Sequence, residues 1–300
     1  MTRLRAVTWA LGLRSTPQSI GVIGRDLGVF KRHNLDLQIV REETAGPEGA
    51  RGLINNEYDF AEFGTVPIVR ARLDGGEPLI LLAAEQQSAL YILSRNNIKI
   101  PQELKSGCLG VLSVAGQTGH SAKQMLSTWH LNDSVELVPC STYPNIYQRL
   151  AEGTLHAGVL TADYRIAGEI AFGLNTLADL GEVLKYQGPV VATTARLRDT
   201  DPNLVQAVVD AYCDTLNLFR TSDSVVPSLQ KHLRFADTQQ ATAIHAYYAK
   251  RFQAHPFPSV DGLARVIESM QGSRNTPHIT PMSLCDTSFL ERSLVENRRP

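Results

Sequence analysis

Residues 110–126 run Gly-Val-Leu-Ser-Val-Ala-Gly-Gln-Thr-Gly-His-Ser-Ala-Lys-Gln-Met-Leu. The apolar residues at its beginning are typical of a strand. The small residues that follow are typical of a loop, and the remaining residues are typical of the start of a helix. A glycine-containing loop before a helix presents backbone N–H groups at the positive end of the helix dipole. The stretch therefore favours either a cradle for an anion or polar ligand group, or an ordinary capped helix.

The same alternation of strand and helix extends over the first 195 residues. Apolar runs predict strands at 4–11, 35–40, 58–62, 78–84, 108–113, 135–139 and 157–161. Helical spacing predicts helices at 19–33, 47–55, 66–73, 118–129, 143–152 and 162–172. Such alternation indicates an α/β fold with mostly parallel sheets and helices on both faces.

After residue 201 the pattern changes to an almost wholly helical one. Helices are predicted at 202–220, 222–233, 238–252, 259–270 and 286–297, and Pro202 suits the first position of its helix. The chain thus has a helical C-terminal part that follows two βα series.

Composition excludes several classes of function. The formal net charge of -1 leaves no basic stripe for nucleic acid, and no apolar run is long enough for membrane insertion. The four cysteines form no CxxC pair, so neither a metal site nor a cofactor is predicted. The N-terminus has no signal-peptide cleavage motif, which predicts a cytoplasmic protein as the sequence stands and a periplasmic one if a leader precedes it.

Four segments resemble one known family. They are 24–37, where Asn34 replaces a usual glycine; 58–79, with Gly64 and Pro67; the loop and helix at 110–126; and 150–159, where His156 stands at a usual aspartate position. Together they are similar to the type II periplasmic-binding-protein superfamily, in the branch of nitrate, taurine and aliphatic-sulfonate binding proteins and thiamine-pyrimidine-synthase-like proteins. Because asparagine tolerates the left-handed conformation, we expect Asn34 to end its helix in that conformation.

The resemblance implies two α/β lobes that close on a ligand held at the carboxyl ends of strands. We expect lobe I to comprise 1–95 and 188–300, and lobe II to comprise 96–187. The expected ligand-binding residues are Arg14, Ser15, Gly64, Thr65, Gly116, Gln117, Thr118, Gly119, Ser121, Tyr143 and Asp163.

Three charged or titratable residues have alternative roles. Arg14 is predicted either to pair with a ligand anion or to be a solvated surface residue. Glu62 is predicted to bind a cation, to act as a base, or to form a salt bridge with Arg14, and we favour the salt bridge. His120, in the first turn of its helix, is either a neutral imidazole that binds or transfers a proton, or a packing residue.

The favoured function is a solute-binding protein that delivers a small anionic or heteroaromatic compound, of sulfonate, carboxylate or pyrimidine type, to an ABC transporter permease. The alternative is a cytosolic enzyme on the same fold, a decarboxylase, desulfinase or related lyase acting through His120 and Glu62 on a small aromatic or sulfonated acid. The resemblance aligns Ser15 with the nucleophilic cysteine of the desulfinase. Because the cysteine is replaced, we do not predict the desulfinase reaction for this chain. A ligand sensor without turnover is a third possibility.

Overall fold

A computed structural model of the chain describes residues 3–12, 14–42, 46–234, 237–271 and 279–296. The strands of this part are β1 (Arg5–Leu11), β2 (Leu35–Arg41), β3 (Phe60–Phe63), β4 (Pro78–Leu82), β5 (Leu90–Ser94), β6 (Gly107–Val111), β7 (Val135–Pro139), β8 (Ala157–Thr161), β9 (Asn175–Asp179) and β10 (Val190–Thr194).

The α-helices that connect and follow these strands are α1 (Ile20–Asp26), α2 (Val29–Arg32), α3 (Gly46–Ile54), α4 (Thr65–Leu73), α5 (Gln117–Thr128), α6 (Tyr143–Ala151), α7 (Ala162–Phe172), α8 (Leu180–Leu184), α9 (Ala195–Thr200), α10 (Pro202–Thr221), α11 (Val226–Leu233), α12 (Thr238–Arg251), α13 (Val260–Gln271), α14 (Pro281–Leu284) and α15 (Ser288–Glu296). None of the described helices is both long and apolar enough to cross a membrane.

The chain divides into two compact units. The first unit consists of Met1–Gln86 together with Tyr186–Pro300, and the second unit is Gln87–Lys185. Each unit contains one five-stranded sheet.

The sheet of the first unit has the strand order β2-β1-β3-β10-β4. Strands β1, β2 and β3 pair in parallel, while β10 pairs antiparallel with both β3 and β4. Trp9 on β1 is fully buried and stacks on Phe60 of β3 and on Tyr212 of α10, with ring centroids 5.8 and 6.5 Å apart. The long helix α10 is thereby packed against this sheet by aromatic contacts.

The sheet of the second unit has the order β7-β6-β8-β5-β9, and here β5 is the antiparallel strand. Because β5 pairs with β8 and β9, its residues belong to the second unit. We expected lobe I to extend to residue 95, which would place β5 in lobe I. This expectation is wrong for β5. A short apolar run carries no signal of which sheet it joins, since strand partners are fixed by contacts distant in sequence.

The predicted helix at 19–33 is two helices, α1 and α2. Gly28 separates them with φ 70°, a left-handed conformation that suits glycine. Asn34, after α2, has φ 58°, so the expected left-handed end of this helical segment is confirmed.

The C-terminal helices follow the predicted pattern closely. Pro202 is the first residue of α10, and the Asp201 side chain accepts a hydrogen bond from the Leu204 N–H. The predicted helix at 222–233 instead begins with a 3-10 turn, Asp223–Val225, before α11. The predicted last helix at 286–297 is α15, and residue 297 lies outside the described residues.

Candidate functional site

Three helices of the second unit begin at one edge of its sheet. Strand β6 pairs in parallel with both β7 and β8, so the carboxyl ends of the three strands lie at the same edge. These strands lead into α5, α6 and α7 respectively. Ligands of open α/β sheets bind outside the carboxyl ends of strands, where helix N-termini favour negative charge. We call the loops and first helical turns at this edge the helix-start site.

The first turn of α5, like that of α7, lacks a side-chain cap. Gly116 is the N-cap residue, in an extended conformation, and no side chain accepts a hydrogen bond there. The Thr118 hydroxyl is buried and accepts from the Leu112 N–H at 2.9 Å, which fixes the loop between β6 and α5. A Cβ on Gly119 would lie 2.3 Å from the Ser113 carbonyl oxygen, so only glycine allows this close approach.

Other predicted residues of α5 differ in their exposure. His120 is partly exposed, and its N–H donates to the Gly116 carbonyl at 3.0 Å. Gln117 is also partly exposed and is the first residue of the helix. Ser121 is buried in the second unit, at 1% exposure. Of these three, Gln117 and His120 are the partly exposed residues, although the side-chain Nε2 atom of Gln117 is buried.

The starts of α6 and α7 carry further predicted residues. Thr142 caps α6 by accepting from the Asn145 N–H at 3.3 Å, and Tyr143 follows it, buried against Tyr164 of α7. Asp163, also buried, accepts from the Thr161 hydroxyl at 2.6 Å. The structure thus brings both residues to the helix-start site.

Ser141, just before α6, has φ 65°. A non-glycine residue in this region is uncommon, and such residues cluster at functional sites. Ser141 is exposed, so its strained loop forms part of the surface of the helix-start site.

In the first unit, the corresponding strand ends carry Ser15, Gly64 and Thr65. Gly64 is the N-cap of α4, and the Thr65 hydroxyl donates to the Gly188 carbonyl at 2.5 Å. Ser15 is fully buried, and its hydroxyl accepts from the Gln18 amide at 3.3 Å. The side chains of Ser15 and Thr65 are therefore used within the first unit.

Arg14 does not contact Glu62, and the favoured prediction of a salt bridge between them is wrong. Its guanidinium lies 3.4 Å from the Glu42 carboxylate and donates to the His232 carbonyl at 3.1 Å. Both partners come from segments distant from Arg14 in sequence, so local sequence gave no indication of them.

Glu62 lies instead in the core of the first unit, with 1% of its surface exposed. Its carboxyl accepts hydrogen bonds from the Tyr212 hydroxyl at 2.7 Å and from the backbone N–H groups of Ile20 and Gly21 at 3.3 Å. Burial raises its pKa to about 7, although these donors act in the opposite direction. The buried indole N–H of Trp9, beside Gly21, makes no hydrogen bond with suitable geometry.

A second buried carboxylate, Glu85, lies shortly after β4. Its carboxylate pairs with Arg251 at 3.0 Å, and its backbone carbonyl accepts from Gln187 at 2.8 Å. Sequence reasoning missed this pairing because Arg251 lies on α12, far along the chain. Among the described residues, no cluster of three or more His, Cys, Asp or Glu side chains is arranged to hold a metal ion.

The family model described as NMT1/THI5 like matches residues 16–219 of the chain. No curated protein sequence is significantly similar to it.

Solved structures share the fold over nearly the whole chain. A protein from Bordetella bronchiseptica RB50 is 14% identical with a TM-score of 0.85, and 99% of each chain is covered. The alkanesulfonate-binding protein SsuA from Xanthomonas axonopodis pv. citri, bound to MOPS, is 15% identical with a TM-score of 0.74, covering 95% of this chain and 99% of that one. The desulfurization enzyme DSZB is 18% identical with a TM-score of 0.71, covering 98% of this chain and 100% of that one. The predicted α/β fold of the periplasmic-binding-protein superfamily is confirmed.

Proposed function

The chain belongs to the NMT1/THI5-like family, and we propose that it binds a small organic anion, a sulfonate or a carboxylate, as the solute-binding protein of an ABC transporter. In this role its partner is the transporter permease and its working compartment is the periplasm. The fold shared with SsuA proteins supports a ligand-binding role.

One observation carries the choice of an anion. Three helices start at the helix-start site, and α5 starts from a glycine without a side-chain cap. The loops that precede these helices, at 112–116, 140–142 and 161, contain no lysine or arginine. An anion bound here is therefore held by backbone N–H groups, helix dipoles and neutral donors, with Gln117, His120 and Ser141 as the nearby side chains.

Arg14 and Gly64, at strand ends of the first unit, are not part of the helix-start site. Arg14 keeps only a small exposed surface, 13% of its side chain, and a neighbouring carboxylate already faces it. Its guanidinium charge is partly compensated by Glu42, so the choice of an anion does not rest on Arg14.

The enzyme alternative receives less support from the structure. A lyase that used Glu62 as a base would need this carboxyl to reach substrate, whereas it is 1% exposed and already accepts three hydrogen bonds. Ser15, in the position aligned with the desulfinase cysteine, is fully buried as well. A binding role requires neither side chain to react.

Isothermal titration calorimetry of the whole chain tests the proposal. The probes are ethanesulfonate, benzenesulfonate and benzoate, with choline as a cationic control and a neutral aminopyrimidine for the heteroaromatic alternative. We expect saturable binding of at least one anion, none of choline, and weaker binding at high salt because the attraction is electrostatic. Absence of binding by all three anions, or tighter binding of the neutral pyrimidine, contradicts the choice of an anion.

A further inference from the structure

Cys108 and His156 form a close pair at the opposite edge of the second sheet from the helix-start site. Cys108 is the second residue of β6, and His156 immediately precedes β8. Since β6 and β8 run in parallel, both residues lie at the amino ends of their strands. The pair is therefore separate from the helix-start site.

The contacts of the pair define the proton positions. His156 Nδ1 accepts the backbone N–H of Cys108 at 3.2 Å, so the neutral ring carries its proton on Nε2. The Cys108 Sγ lies 3.4 Å from the same Nδ1 and 3.6 Å from the Thr154 carbonyl oxygen. The thiol proton thus has two acceptors, and one of them is a base.

The first residue of β6 leaves room for the imidazole of His156. A Cβ on Gly107 would lie 2.9 Å from His156 Cγ, so glycine at this position lets the ring pack directly over the start of β6. Both Cys108 and His156 are partly exposed, and Thr154 beside them is exposed. A small reagent therefore has access to the thiol.

One cation, Arg95, lies close enough to the pair to act on His156. Arg95 lowers the pKa of His156, although burial contributes more to this shift. The Arg95 Nε is buried and has no hydrogen-bond partner among the described residues. Arg149 donates to the Thr154 hydroxyl at 3.4 Å, and its guanidinium also lies 3.5 Å from the sulfur of Cys140. Cations near a cysteine stabilise its thiolate, which is the nucleophilic form.

The other three cysteines lie in different environments. Burial raises the pKa of Cys140, and it raises the pKa values of Cys213 and Cys285 to about 12. None of these three has a hydrogen bond to an imidazole in the described part of the chain. They provide internal controls for reactivity.

We propose that Cys108 is a reactive thiol, activated by His156, that is oxidised by small hydroperoxides. The thiol proton moves to His156 Nδ1 as the sulfur attacks one peroxide oxygen. The O–O bond breaks, an S–O bond forms, and the leaving oxygen takes the proton from the imidazolium. The cysteine becomes a sulfenic acid and hydrogen peroxide is reduced to water, so atoms and electrons balance.

The test measures modification of each cysteine by mass spectrometry. The whole chain is exposed to limiting iodoacetamide, and separately to one equivalent of hydrogen peroxide followed by dimedone, which traps sulfenic acid. Cys108 is expected to be alkylated roughly tenfold or more faster than the other cysteines, and to carry the dimedone adduct. If any of the other three cysteines is alkylated as fast as Cys108, the proposal is overturned. This comparison is made within the parent chain and needs no variant.

A matched pair of variants tests the role of the imidazole. His156→Asn keeps an acceptor for the Cys108 N–H but removes the base, so alkylation of Cys108 is expected to slow by roughly tenfold. His130→Asn is the control, because His130 is exposed and has φ 57°, a conformation that asparagine adopts readily. A folded His156→Asn variant, judged by circular dichroism, that reacts as fast as the His130→Asn control overturns the role of His156.

Discussion

At the scale of single residues, Glu62 connects three elements of the first unit. Its carboxyl joins β3 to the N-terminus of α1 through two backbone N–H groups and to α10 through Tyr212. Burial also raises the pKa of Tyr212 well above its usual value, with the neighbouring Glu62 carboxylate acting in the same direction. Burial therefore favours the protonated form of Glu62, while the neutral Tyr212 hydroxyl remains a donor to it and partly offsets this effect.

The pKa of Glu62 predicts how stability changes with pH. Its pKa is about 7 in the folded chain against an ordinary value of 4.5, so the folded state holds the proton more tightly. The stabilisation is complete below about pH 4.5 and is lost as the pH rises through about 7, which amounts to about 3 kcal/mol for this one group. We expect the free energy of unfolding to fall over this range relative to a variant that cannot ionise.

Glu62→Gln is that variant, because it keeps the shape of the protonated carboxyl. Urea unfolding at pH 5 and pH 8 should show the stability of Glu62→Gln rising relative to the parent chain by about 3 kcal/mol at the higher pH. Glu57→Gln, at an exposed position, is expected to show no such change. If the difference in free energy of unfolding between Glu62→Gln and the parent chain is the same at pH 5 and pH 8, the buried carboxyl does not titrate in this range.

The hydrogen-bond partners of Glu62 could not be predicted from the sequence. An acidic residue at the end of an apolar strand signals an unusual environment, and the sequence singled it out for that reason. Its principal partner, Tyr212, is 150 positions away on α10. No local spacing indicates such a contact, so the choice between ion pair and core residue had to come from the structure.

At the scale of elements, the Glu85–Arg251 ion pair fastens α12 to the end of β4. The pair is supported by backbone hydrogen bonds from Gln253 to Ala84 and from Ala83 to Pro256, each at 2.8 Å. The Glu85 side chain is 1% exposed and that of Arg251 is 24% exposed. Removal of the cation would leave a buried carboxylate without its main compensating charge.

Arg251→Met is therefore expected to lower the free energy of unfolding by about 3 kcal/mol. Adding Glu85→Gln to the same chain should restore more than half of this loss, since the uncompensated charge is removed too. Arg41→Met, which breaks the exposed contact with Glu57 at 3.8 Å, should cost no more than about 0.5 kcal/mol. Urea denaturation of the four chains measures these differences; equal losses for Arg251→Met and Arg41→Met contradict the argument.

Elements with a strong local signal were predictable from sequence. The helix start at Pro202 and the left-handed Asn34 follow from backbone preferences that each residue carries by itself. Strands β5, β9 and β10 were not predicted. Four consecutive apolar residues, as in β5, fit a buried helix segment as well as a strand, and β9 at the sheet edge is largely polar.

At the scale of the whole molecule, two five-stranded sheets occur in two units, and the fold was predictable because several motifs occur in the family's order. The candidate site was predictable only in part. The sequence placed Gly116, Gly119 and His120 at a helix start correctly, since glycine spacing and strand periodicity are local. The internal hydrogen bond of the Thr65 hydroxyl was not predictable, because its acceptor, Gly188, lies 123 positions away.

The central claim, that an anion binds at the start of α5, predicts a charge effect at Gly116. A Cβ there meets nothing closer than 3.7 Å and φ is −89°, so a side chain fits. Aspartate would act as an N-cap and place a carboxylate where we expect the ligand anion, whereas asparagine has the same shape without the charge.

The most direct measurement is calorimetric titration of Gly116→Asp and Gly116→Asn with whichever of ethanesulfonate, benzenesulfonate or benzoate the parent chain binds. The account predicts that Gly116→Asp binds the probe about a hundredfold more weakly than Gly116→Asn does, because both side chains compete for the same N–H groups but only aspartate adds a second anion. Equal affinities for the probe in the two variants would contradict it.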